Sequence, residues 1–406
     1  MPTSSHRAPT TTPVLLSPQL ASGRPVDWWF IFKFNGKTNP TGVSEEPKAG
    51  LFGGAPIDYP DGDHLFSLAY ACASSESPRL QMGSGCVGTS LDDPLGATFD
   101  LIFRNSCNYV VWNDQFYGSP IPNGPESSGH SKGVLAWNES TGAGLVIQVS
   151  TPSWPRSASS DFPPSPEGNT LGCVRDDNVM VSQHFFSLRL TAEDVATVVE
   201  GLVNASVVTD PSAPQIFKVT GPAAIKKVAG ELGKLGSSTT VLSRTLSSGV
   251  KFISKPRLLH VPVWQMVSAQ LGGVPLRVAS WWEHPAIDST TAATTISCWN
   301  PGLGKPGAVQ IATSGAWQGK SIGLTGGDGP QFNHAKIGVS TSNDRPLCIF
   351  GDMNQQGTLD GKGEQKGCSS SQNGRGGTFY VLENRALFES LTSLLHGGSA
   401  PVATTR

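Results

Sequence analysis

The chain has 406 residues and a formal net charge of −2, and charged residues make up only 15% of it, against roughly 25% in an average globular protein. Its ten tryptophans and seventeen phenylalanines can fill a core, while its 47 glycines and 31 prolines predict many turns and loops. The net charge shows that the chain as a whole is not strongly basic. No segment is apolar over the roughly 20 residues that a membrane-spanning helix needs.

The first half of the chain is rich in short runs that are typical of strands. Residues 1–23, which precede these runs, are rich in Thr, Ser and Pro, and we expect them to be disordered. The apolar run at 14–16 is too short for the core of a signal peptide, so the sequence alone leaves the cellular compartment open. Strands are predicted at 28–32, 65–71, 97–103, 109–112 and 144–149.

A helix is predicted at 191–204. Val195, Val199 and Leu202 share one face at helical spacing, and Thr191 and Asp194 have the spacing of a capping box. We expect the apolar face of this helix to cover a sheet.

A basic segment follows, with eight Lys and Arg residues and one Glu between 218 and 257. Such a segment can form a positive wall for a polyanion, or it can be a solvated linker, and charge alone slightly favours the linker. It divides the chain into an N-terminal half at 24–208, a connecting segment at 209–256 and a C-terminal half at 257–396. The candidate polyanion-binding residues in this region are Lys226, Lys227, Lys251, Lys255 and Arg257.

The second half again mixes strand-like and helical patterns. Strands are predicted at 308–311 and 347–350, and a helix at 384–396 that stops at two glycines. The Gly/Ser-rich stretch at 357–377 predicts an exposed loop whose Lys362, Lys366 and Arg375 could contact phosphate, and residues 397–406 are expected to be disordered. Strands and helices in both halves predict an α/β fold with helices covering a central sheet.

The seven cysteines contain no CxxC or CxxH pair, so no zinc site is expected, and the sequence indicates neither a metal nor another cofactor. Cys348 and Cys368 flank the Gly-rich loop and could form a local disulfide. Buried free thiols in a reducing compartment are an equally good interpretation.

The motif that points to chemistry is a repeat, His130-Ser131-Lys132 in the first half and His334-Ala335-Lys336 in the second. Residues i and i+2 of a strand point to the same face, so each His and its Lys can face one pocket. An apolar run and a second strand follow each pair. Ser150 follows His130 at the same distance in sequence as Asn354 follows His334, and these equal offsets suggest two copies of one strand-turn-strand unit.

With these motifs the chain resembles the deoxyribonuclease II family, within the phospholipase D superfamily of His-x-Lys phosphodiesterases. The resemblance covers about residues 24–395. The matching segments, in family order, are Pro25-Val26-Asp27-Trp28-Trp29, Trp112-Asn113-Asp114-Gln115, Gly129-His130-Ser131-Lys132-Gly133-Val134-Leu135, His334-Ala335-Lys336 and Gly351-Asp352-Met353-Asn354.

The chain departs from wider patterns at a few positions. Trp137 and Thr341 stand where the superfamily often has an Asp after each motif, which resembles the deoxyribonuclease II branch. Ile337 replaces a frequent aromatic residue, and we expect that to affect packing more than chemistry. Gln355 replaces a frequent Arg, which puts a phosphate contact from that position in doubt.

The resemblance implies two similar phospholipase-D-like α/β halves with one active site between them. It also implies a clamp-like cleft for double-stranded DNA, hydrolysis without a metal ion, an acidic optimum, and 3′-phosphate and 5′-hydroxyl ends. Some family members are homodimers, and the family leads us to expect a secreted, periplasmic or lysosome-like acidic compartment.

Residue chemistry suggests a mechanism for this reaction. A neutral imidazole can attack phosphorus to form a phosphohistidine, and a second, protonated imidazole can give its proton to the departing 5′ oxygen. By family analogy His130 is the nucleophile and His334 the acid, while Lys132 and Lys336 hold nonbridging oxygens. Asn354 is expected to donate to a phosphate oxygen or to orient a catalytic side chain.

Some assignments stay open from sequence alone. Asp352 could orient an imidazole or merely close a turn. A phospholipase or another phosphodiesterase of the same superfamily would use the same chemistry, although no membrane-seeking amphipathic helix is evident. A DNA-binding protein with a decayed site is the alternative of a different class, and the intact His and Lys residues argue against it.

Overall fold

The computed structural model describes residues 15–41, 67–88, 90–116, 124–152, 180–362 and 367–404. They form a mixed α/β fold with one large sheet in each half of the chain. The strands of the first half are β1 (Trp28–Lys33), β2 (Tyr70–Ser74), β3 (Gln81–Met82), β4 (Asn108–Asn113), β5 (Lys132–Trp137), β6 (Gly144–Val149), β7 (Gln183–Leu190) and β8 (Phe217–Lys218). Those of the second half are β9 (Leu242–Thr245), β10 (Lys251–Lys255), β11 (Leu276–Ala279), β12 (Val309–Ile311), β13 (Ser314–Trp317), β14 (Lys320–Gly323), β15 (Ile337–Ser340), β16 (Leu347–Gly351) and β17 (Gly377–Glu383).

The described helices lie between and after these strands. They are α1 (Pro94–Arg104), α2 (Ala192–Ala205), α3 (Ala223–Ala229), α4 (Val263–Gln270) and α5 (Arg385–Leu394). Short 3-10 turns lie at Pro301–Leu303, Gly367–Ser369 and Ser371–Gly374. None of the helices in the described ranges is long and apolar enough to cross a membrane.

The two sheets contain the same unit. Six neighbouring strands run β2-β1-β7-β6-β5-β4 in the first sheet and β9-β10-β17-β16-β15-β11 in the second, and every pairing among them is antiparallel. A helix follows β7 and β17 alike, α2 in one half and α5 in the other. The prediction of two similar α/β halves is therefore confirmed.

The halves share one hydrophobic core. The Phe350 ring of the second sheet stacks between Phe30 and Phe186 of the first, with ring centroids 4.7 and 4.4 Å apart. Both α2 and α5 contribute buried apolar side chains to the same core. Stacked aromatic rings stabilise a structure by more than the burial of their apolar area alone. These ring contacts between the two sheets therefore hold the two halves in one relative position.

The motif end of the sheets is the end at which β5 and β15 begin, directly after the two His-x-Lys pairs. In the first sheet Lys132 of β5 lies opposite Asn113, the last residue of β4. In the second sheet the pairing of Ile337 with Ala279 places the same end of β11 there. Because adjacent strands are antiparallel, the ends of β1, β4 and β6 meet the starts of β5 and β7 at this edge.

Most of the predicted elements are confirmed, and one changes type. Strands stand at the runs predicted near 28, 109, 144, 308 and 347, and α2 has the predicted capping box between Thr191 and Asp194. The run at 97–103 was wrongly assigned as a strand and belongs to α1. Asp93 caps this helix by accepting a hydrogen bond from the Gly96 amide, and Pro94 begins it, which favours a helix start over a strand. The strand predicted at 65–71 begins instead at Tyr70, and residues 65 and 66 lie outside the described residues.

The basic segment is not a linker. It supplies β8 to the first sheet and β9 and β10 to the second, and β10 is an interior strand between β17 and β9. A strand that pairs on both sides is an interior part of a sheet. The interpretation of this segment as a solvated linker, which rested on its charge, was therefore wrong.

The C-terminal tail is ordered in the described range, contrary to expectation. The Ala400 amide donates to the Ile311 carbonyl at 2.9 Å, and the Arg277 guanidinium donates to the carbonyls of Gly397 and Gly398 at 3.0 and 2.9 Å. Of the N-terminal tail, residues 1–14 lie outside the described residues, while Gln19 forms a bridge with Pro25.

The disulfide joins Cys298 to Cys368, not Cys348 to Cys368. Cys348 lies on β16 and its side chain is buried in the shared core, so it faces away from the Gly-rich loop. The partner of Cys368 is 70 residues away in sequence, a separation that no local spacing argument could reveal.

Candidate active site

The two His-x-Lys pairs lie together at the motif end, and each is held by the opposite half. The His130 amide donates to the Gly376 carbonyl just before β17, and the His334 amide donates to the Ser182 carbonyl just before β7, both at 2.8 Å. These two bonds are equivalent in the repeated unit. Each motif is therefore fixed by main-chain hydrogen bonds from the half that carries the other motif.

Electrostatics also shows that the motifs share one site. Burial lowers the pKa of His130 well below its usual value, Lys132, Arg375 and Lys336 lower it further, and Asp114 opposes them. Burial likewise lowers the pKa of His334, together with Lys336, Lys132, His130 and Lys33. Because charges act across a protein only over short distances, the cation of each motif lies close to the imidazole of the other.

The His130 ring has a defined proton position. Its Nδ1 atom lies 2.7 Å from the main-chain carbonyl oxygen of Asp352. A carbonyl oxygen only accepts hydrogen bonds, so Nδ1 carries the proton, and in the neutral ring Nε2 has the lone pair. His130 as a whole residue is only 7% exposed, so the ring lies in a largely buried environment.

The carboxylate of Asp352 connects the two halves. It accepts hydrogen bonds from Ser131 Oγ at 2.5 Å and Gln148 Nε2 at 2.8 Å in the first half, and from Thr378 Oγ1 at 2.5 Å in the second. Burial raises the pKa of this carboxyl to about 6, although the same three hydrogen bonds act to lower it. Asp352 thus orients the imidazole of His130 through its carbonyl group, and its side chain ties both halves together.

The Lys132 ammonium lies 2.5 Å from Asp114 Oδ1, and the other oxygen of that carboxylate lies 2.8 Å from Arg375 Nη2. Burial alone would raise the pKa of Asp114, but Lys132, His130 and Arg375 hold it well below its usual range. The carboxylate therefore stays charged well into the acidic range. Sequence analysis placed Asp114 in a family segment and Arg375 in an exposed loop, and it missed that they meet at the first motif.

The second motif has different neighbours. The His334 ring meets the Trp281 ring edge to face at a centroid distance of 4.2 Å. The Lys336 amide donates to Nδ1 of His184 at 3.2 Å. Burial, and then Lys336, lower the pKa of His184 to about 3, so His184 remains a neutral support for this motif. His184 has no Lys two residues further on, so the His-x-Lys pattern in the sequence does not identify it.

The segment after Asp352 is buried. Asn354 donates from Nδ2 to Gln356 at 2.9 Å, and its amide meets Gln372 at 3.4 Å. Gln355 is fully buried and donates to Gln265 at 3.3 Å. Gln355 therefore points into the protein and is not placed to contact a phosphate.

The equal offsets from the two histidines do not mark equivalent positions. Gly133 pairs with Gln148 across the first hairpin, whereas the equivalent Ile337 pairs with Phe350 across the second. The first hairpin is longer, so the structural counterpart of Asp352 is Ser150. The inference of two strand-turn-strand copies is confirmed, but the pairing of Ser150 with Asn354 is wrong.

The five candidate DNA-binding cations do not form one surface. Lys255 is fully buried, and its ammonium donates to the carbonyls of Asn373 and Arg375 at 2.8 and 2.7 Å, so it cannot reach DNA in this structure. Lys251 begins the same strand at the opposite end and donates to the Gln270 carbonyl at 2.5 Å. Arg257 donates to the Gly236 carbonyl at 3.0 Å, and the Gly236 amide in turn donates to Ser206.

Arg257 thus lies near the first motif, since the Ser206 carbonyl accepts from the Gly129 amide at 2.8 Å. Lys226 and Lys227 are exposed on α3. The residue before this helix is Pro222, and the Gly221 carbonyl accepts from Trp137 at 2.7 Å. Trp137 ends β5, about 17 Å along the strand from Lys132, so α3 begins far from the motif end. Of the loop cations, Lys366 lies outside the described residues.

A separate cleft of about 650 Å³ opens at the other end of the sheets. Trp28, Leu190 and Leu382 line it, and they stand at the strand ends opposite the motifs. Neither His-x-Lys pair contributes to it. Among the described residues, no group of three or more His, Cys, Asp and Glu side chains is arranged to hold a metal ion.

Comparisons with known proteins found one matching family model and several similar nucleases. Residues 55–394 match the family model described as deoxyribonuclease II. The chain is 30% identical to deoxyribonuclease-2-alpha of Rattus norvegicus over 161 residues, which is 38% of this chain and 39% of that protein. It is 23% identical to cell-death-related nuclease 7 of Caenorhabditis elegans over 372 residues, which is 90% of this chain and 83% of that protein. Deoxyribonuclease-2-alpha of Sus scrofa is 29% identical over 163 residues, 38% of each chain.

Proposed function

Because this chain belongs to the deoxyribonuclease II family, we propose that it is an endonuclease that hydrolyses DNA phosphodiester bonds without a metal ion. The reaction takes place where the two His-x-Lys pairs meet at the motif end. His130 is the nucleophile, His334 is the general acid, and the products carry 3′-phosphate and 5′-hydroxyl ends.

The observation that carries the proposal is the hydrogen bond from His130 Nδ1 to the Asp352 carbonyl. It keeps the proton on Nδ1 and leaves the Nε2 lone pair for attack on phosphorus. The low pKa of His130 keeps the ring neutral at the moment of attack. As the Nε2–P bond forms, the ring becomes positive, and the carbonyl oxygen stabilises this charge through the same hydrogen bond.

The protonated His334 supplies the proton that the departing 5′ oxygen needs. In the free protein, burial and three neighbouring amino groups lower the pKa of His334. A bound phosphodiester brings a negative charge to the same place, which raises that pKa. The acid is therefore charged only at low pH or with substrate bound, which supports an acidic optimum.

The charge of the phosphate is offset by protein side chains. Lys336 acts on both imidazoles, so its ammonium lies within reach of a phosphate between them. Lys132 is paired with Asp114, but an ammonium has three N–H donors and can serve a phosphate oxygen as well. These cations supply the charge compensation for which other phosphodiesterases use Mg²⁺.

Two displacements complete the reaction. In the first, the bond from phosphorus to the 5′ oxygen breaks, and that oxygen leaves as a hydroxyl with the His334 proton. In the second, His334 removes a proton from water, the water oxygen attacks phosphorus, and the bond to His130 Nε2 breaks. The phosphate stays on the 3′ oxygen, and both imidazoles return to their starting states.

Plasmid nicking tests this proposal. Supercoiled DNA is incubated in EDTA at about pH 5, where a histidine acid is charged, with wild type, His130→Ala, His334→Ala and the control His396→Ala. His396 is an exposed residue beyond the end of α5. We expect nicking by wild type and His396→Ala alone, and the new 5′ ends should accept phosphate from a kinase without prior dephosphorylation.

Other outcomes identify the alternatives. DNA binding with no cleavage by any variant would indicate a binding protein. Phospholipid turnover with no action on DNA would indicate a lipase of the same superfamily. Cleavage that disappears in EDTA would contradict the metal-independent reaction.

A further inference from the structure

Asp114 is a buried carboxylate that the proposed mechanism does not use. It lies one residue beyond the end of β4, and its two oxygens are divided between two cations, Lys132 at 2.5 Å and Arg375 at 2.8 Å. Its side chain is 1% exposed. A buried charge is costly unless it is paired, and here both oxygens are paired, so the arrangement depends on all three groups.

Arg375 connects this carboxylate to the second half of the chain. Besides Asp114, the Arg375 guanidinium donates to the carbonyls of Ser128 and Gly129 at 3.0 and 3.3 Å. These carbonyls belong to the two residues that precede His130. One arginine from the second half therefore holds both the backbone that leads into the first motif and the carboxylate that holds Lys132.

Among the described residues, the position beside the second motif that is equivalent to Asp114 is not a carboxylate. In the repeated unit Asn113 lies opposite Lys132, and by the same register Ser280 lies opposite Lys336. The next residues are Asp114 in the first half and Trp281 in the second, and Trp281 packs against His334. The same position in the repeated unit is thus occupied by an acid in the first half and by an aromatic residue in the second. The two imidazoles therefore differ in their electrostatic surroundings.

We propose that Asp114 is a positioning residue that, through its bonds to Lys132 and Arg375, places the Lys132 ammonium and the His130 ring for attack on phosphorus. Without this carboxylate, Lys132 loses its ion pair. Arg375 then keeps only its hydrogen bonds to the carbonyls of Ser128 and Gly129. Among the charged groups that act on His130, namely Lys132, Asp114, Arg375 and Lys336, Asp114 is the one that favours a proton on the ring. This inference rests on the proposed nuclease activity.

The test compares wild type with Asp114→Asn, the charge-balanced pair Asp114→Asn/Arg375→Gln, and the control Glu389→Gln. The control removes a different ion pair between the halves, Arg79–Glu389 at 2.7 Å, whose side chains are 64% and 44% exposed. We expect both Asp114 variants to lose about 10- to 100-fold in kcat with KM changed less than about threefold, since small misplacements of reacting groups have effects of this size. Glu389→Gln should cleave DNA at the wild-type rate.

A second measurement separates positioning from stability. The ring resonances of His130, identified by their loss in His130→Ala, are followed by NMR as pH is changed. Loss of the Asp114 charge should move the His130 titration to lower pH in Asp114→Asn. The double variant keeps the net charge of the site because one charge of each sign is removed. It should unfold at a lower temperature, since the buried Lys132 is left unpaired, but still cooperatively, and its kcat should remain low.

Each result decides a different question. Wild-type protein that does not cleave DNA would remove the proposed function itself. An active wild type, with an Asp114→Asn variant whose kcat and His130 titration are unchanged, would overturn only the role of Asp114. If both Asp114 variants unfold without cooperativity, Asp114 is a structural residue and the positioning role is also overturned.

Discussion

The Nδ1 atom of His130 donates a hydrogen bond of 2.7 Å to the main-chain carbonyl of Asp352, which belongs to the other half of the chain. The carboxylate of the same Asp352 accepts from Ser131, the residue between His130 and Lys132. One residue thus holds the His130 ring through its main-chain carbonyl and the Ser131 side chain through its carboxylate. Relative movement of the halves would therefore disturb the proton position of His130.

The two histidines should respond differently to the leaving group. On DNA, where an alkoxide departs, His130→Ala and His334→Ala should each lose about 10²-fold or more. On a nucleoside 3′-(p-nitrophenyl phosphate) the departing phenolate needs no proton, so His334→Ala should lose at least about tenfold less than His130→Ala. Steady-state release of p-nitrophenolate measures both. Equal losses on this substrate, or a smaller loss for His130→Ala, would contradict the assigned roles.

The pH dependence should differ between free and substrate-bound enzyme. Burial and neighbouring cations lower the pKa of His334 in the free protein, so kcat/KM should fall on the alkaline side from below about pH 6.5, its ordinary pKa. Bound phosphate raises the pKa of the same ring, so the fall in kcat should lie at higher pH. Full rate profiles between about pH 3 and 9 supply both midpoints. Coincident midpoints would exclude His334 as the group that titrates, and a flat profile would exclude a histidine acid.

The carboxyl of Asp352 should make folding more favourable in acid. Burial raises its pKa to about 6 in the folded protein, against about 3.9 when unfolded. The folded state therefore holds this proton more tightly. The contribution to the free energy of unfolding is fully present below about pH 4 and is lost as pH rises through 6, a difference of about 2 to 3 kcal/mol.

Denaturant titrations of wild type and Asp352→Asn at pH 4 and pH 7 measure this effect. The loss of stability between these pH values should be smaller in Asp352→Asn by that amount, since an amide does not titrate. Asp210→Asn is the control, because Asp210 caps a surface turn by accepting from the Ser212 amide at 2.8 Å. Parallel pH dependences for wild type and Asp352→Asn would contradict the assignment.

Loss of the disulfide should affect both stability and the site. Cys298–Cys368 closes a loop with a sequence separation of 70, and removal of such a link destabilises a protein by about 4 kcal/mol on the chain-entropy account. Cys368 lies in the segment that ends at Arg375, which holds Asp114. Cys298→Ala should therefore lower the unfolding temperature and kcat together, while Cys72→Ser, outside any disulfide of this structure, should change neither. Unchanged kcat in Cys298→Ala would show that the loop keeps its place without the disulfide.

Local patterns predicted much of the secondary structure and the family. The apolar runs at 28–32 and 144–149, the capping box of α2 and the two His-x-Lys pairs depend on residues close in sequence, and each is present in the structure. The error at α1 also has a local cause. Asp93 and Pro94 mark a helix start, and the apolar run after them was assigned without that signal.

Long-range register decided the rest. The pairing of Lys132 with Asp114, the carbonyl of Asp352 on His130 and the Cys298–Cys368 link join residues 18 to 222 positions apart. Lys255 looks like a surface cation in a basic segment, yet β10 lies inside a sheet and buries it. Sequence by itself determined which residues we expect to carry the chemistry, because that expectation follows from residue type and short spacing. Only the tertiary structure decided which of them meet, because strand order, hairpin length and burial depend on the packing of the whole chain.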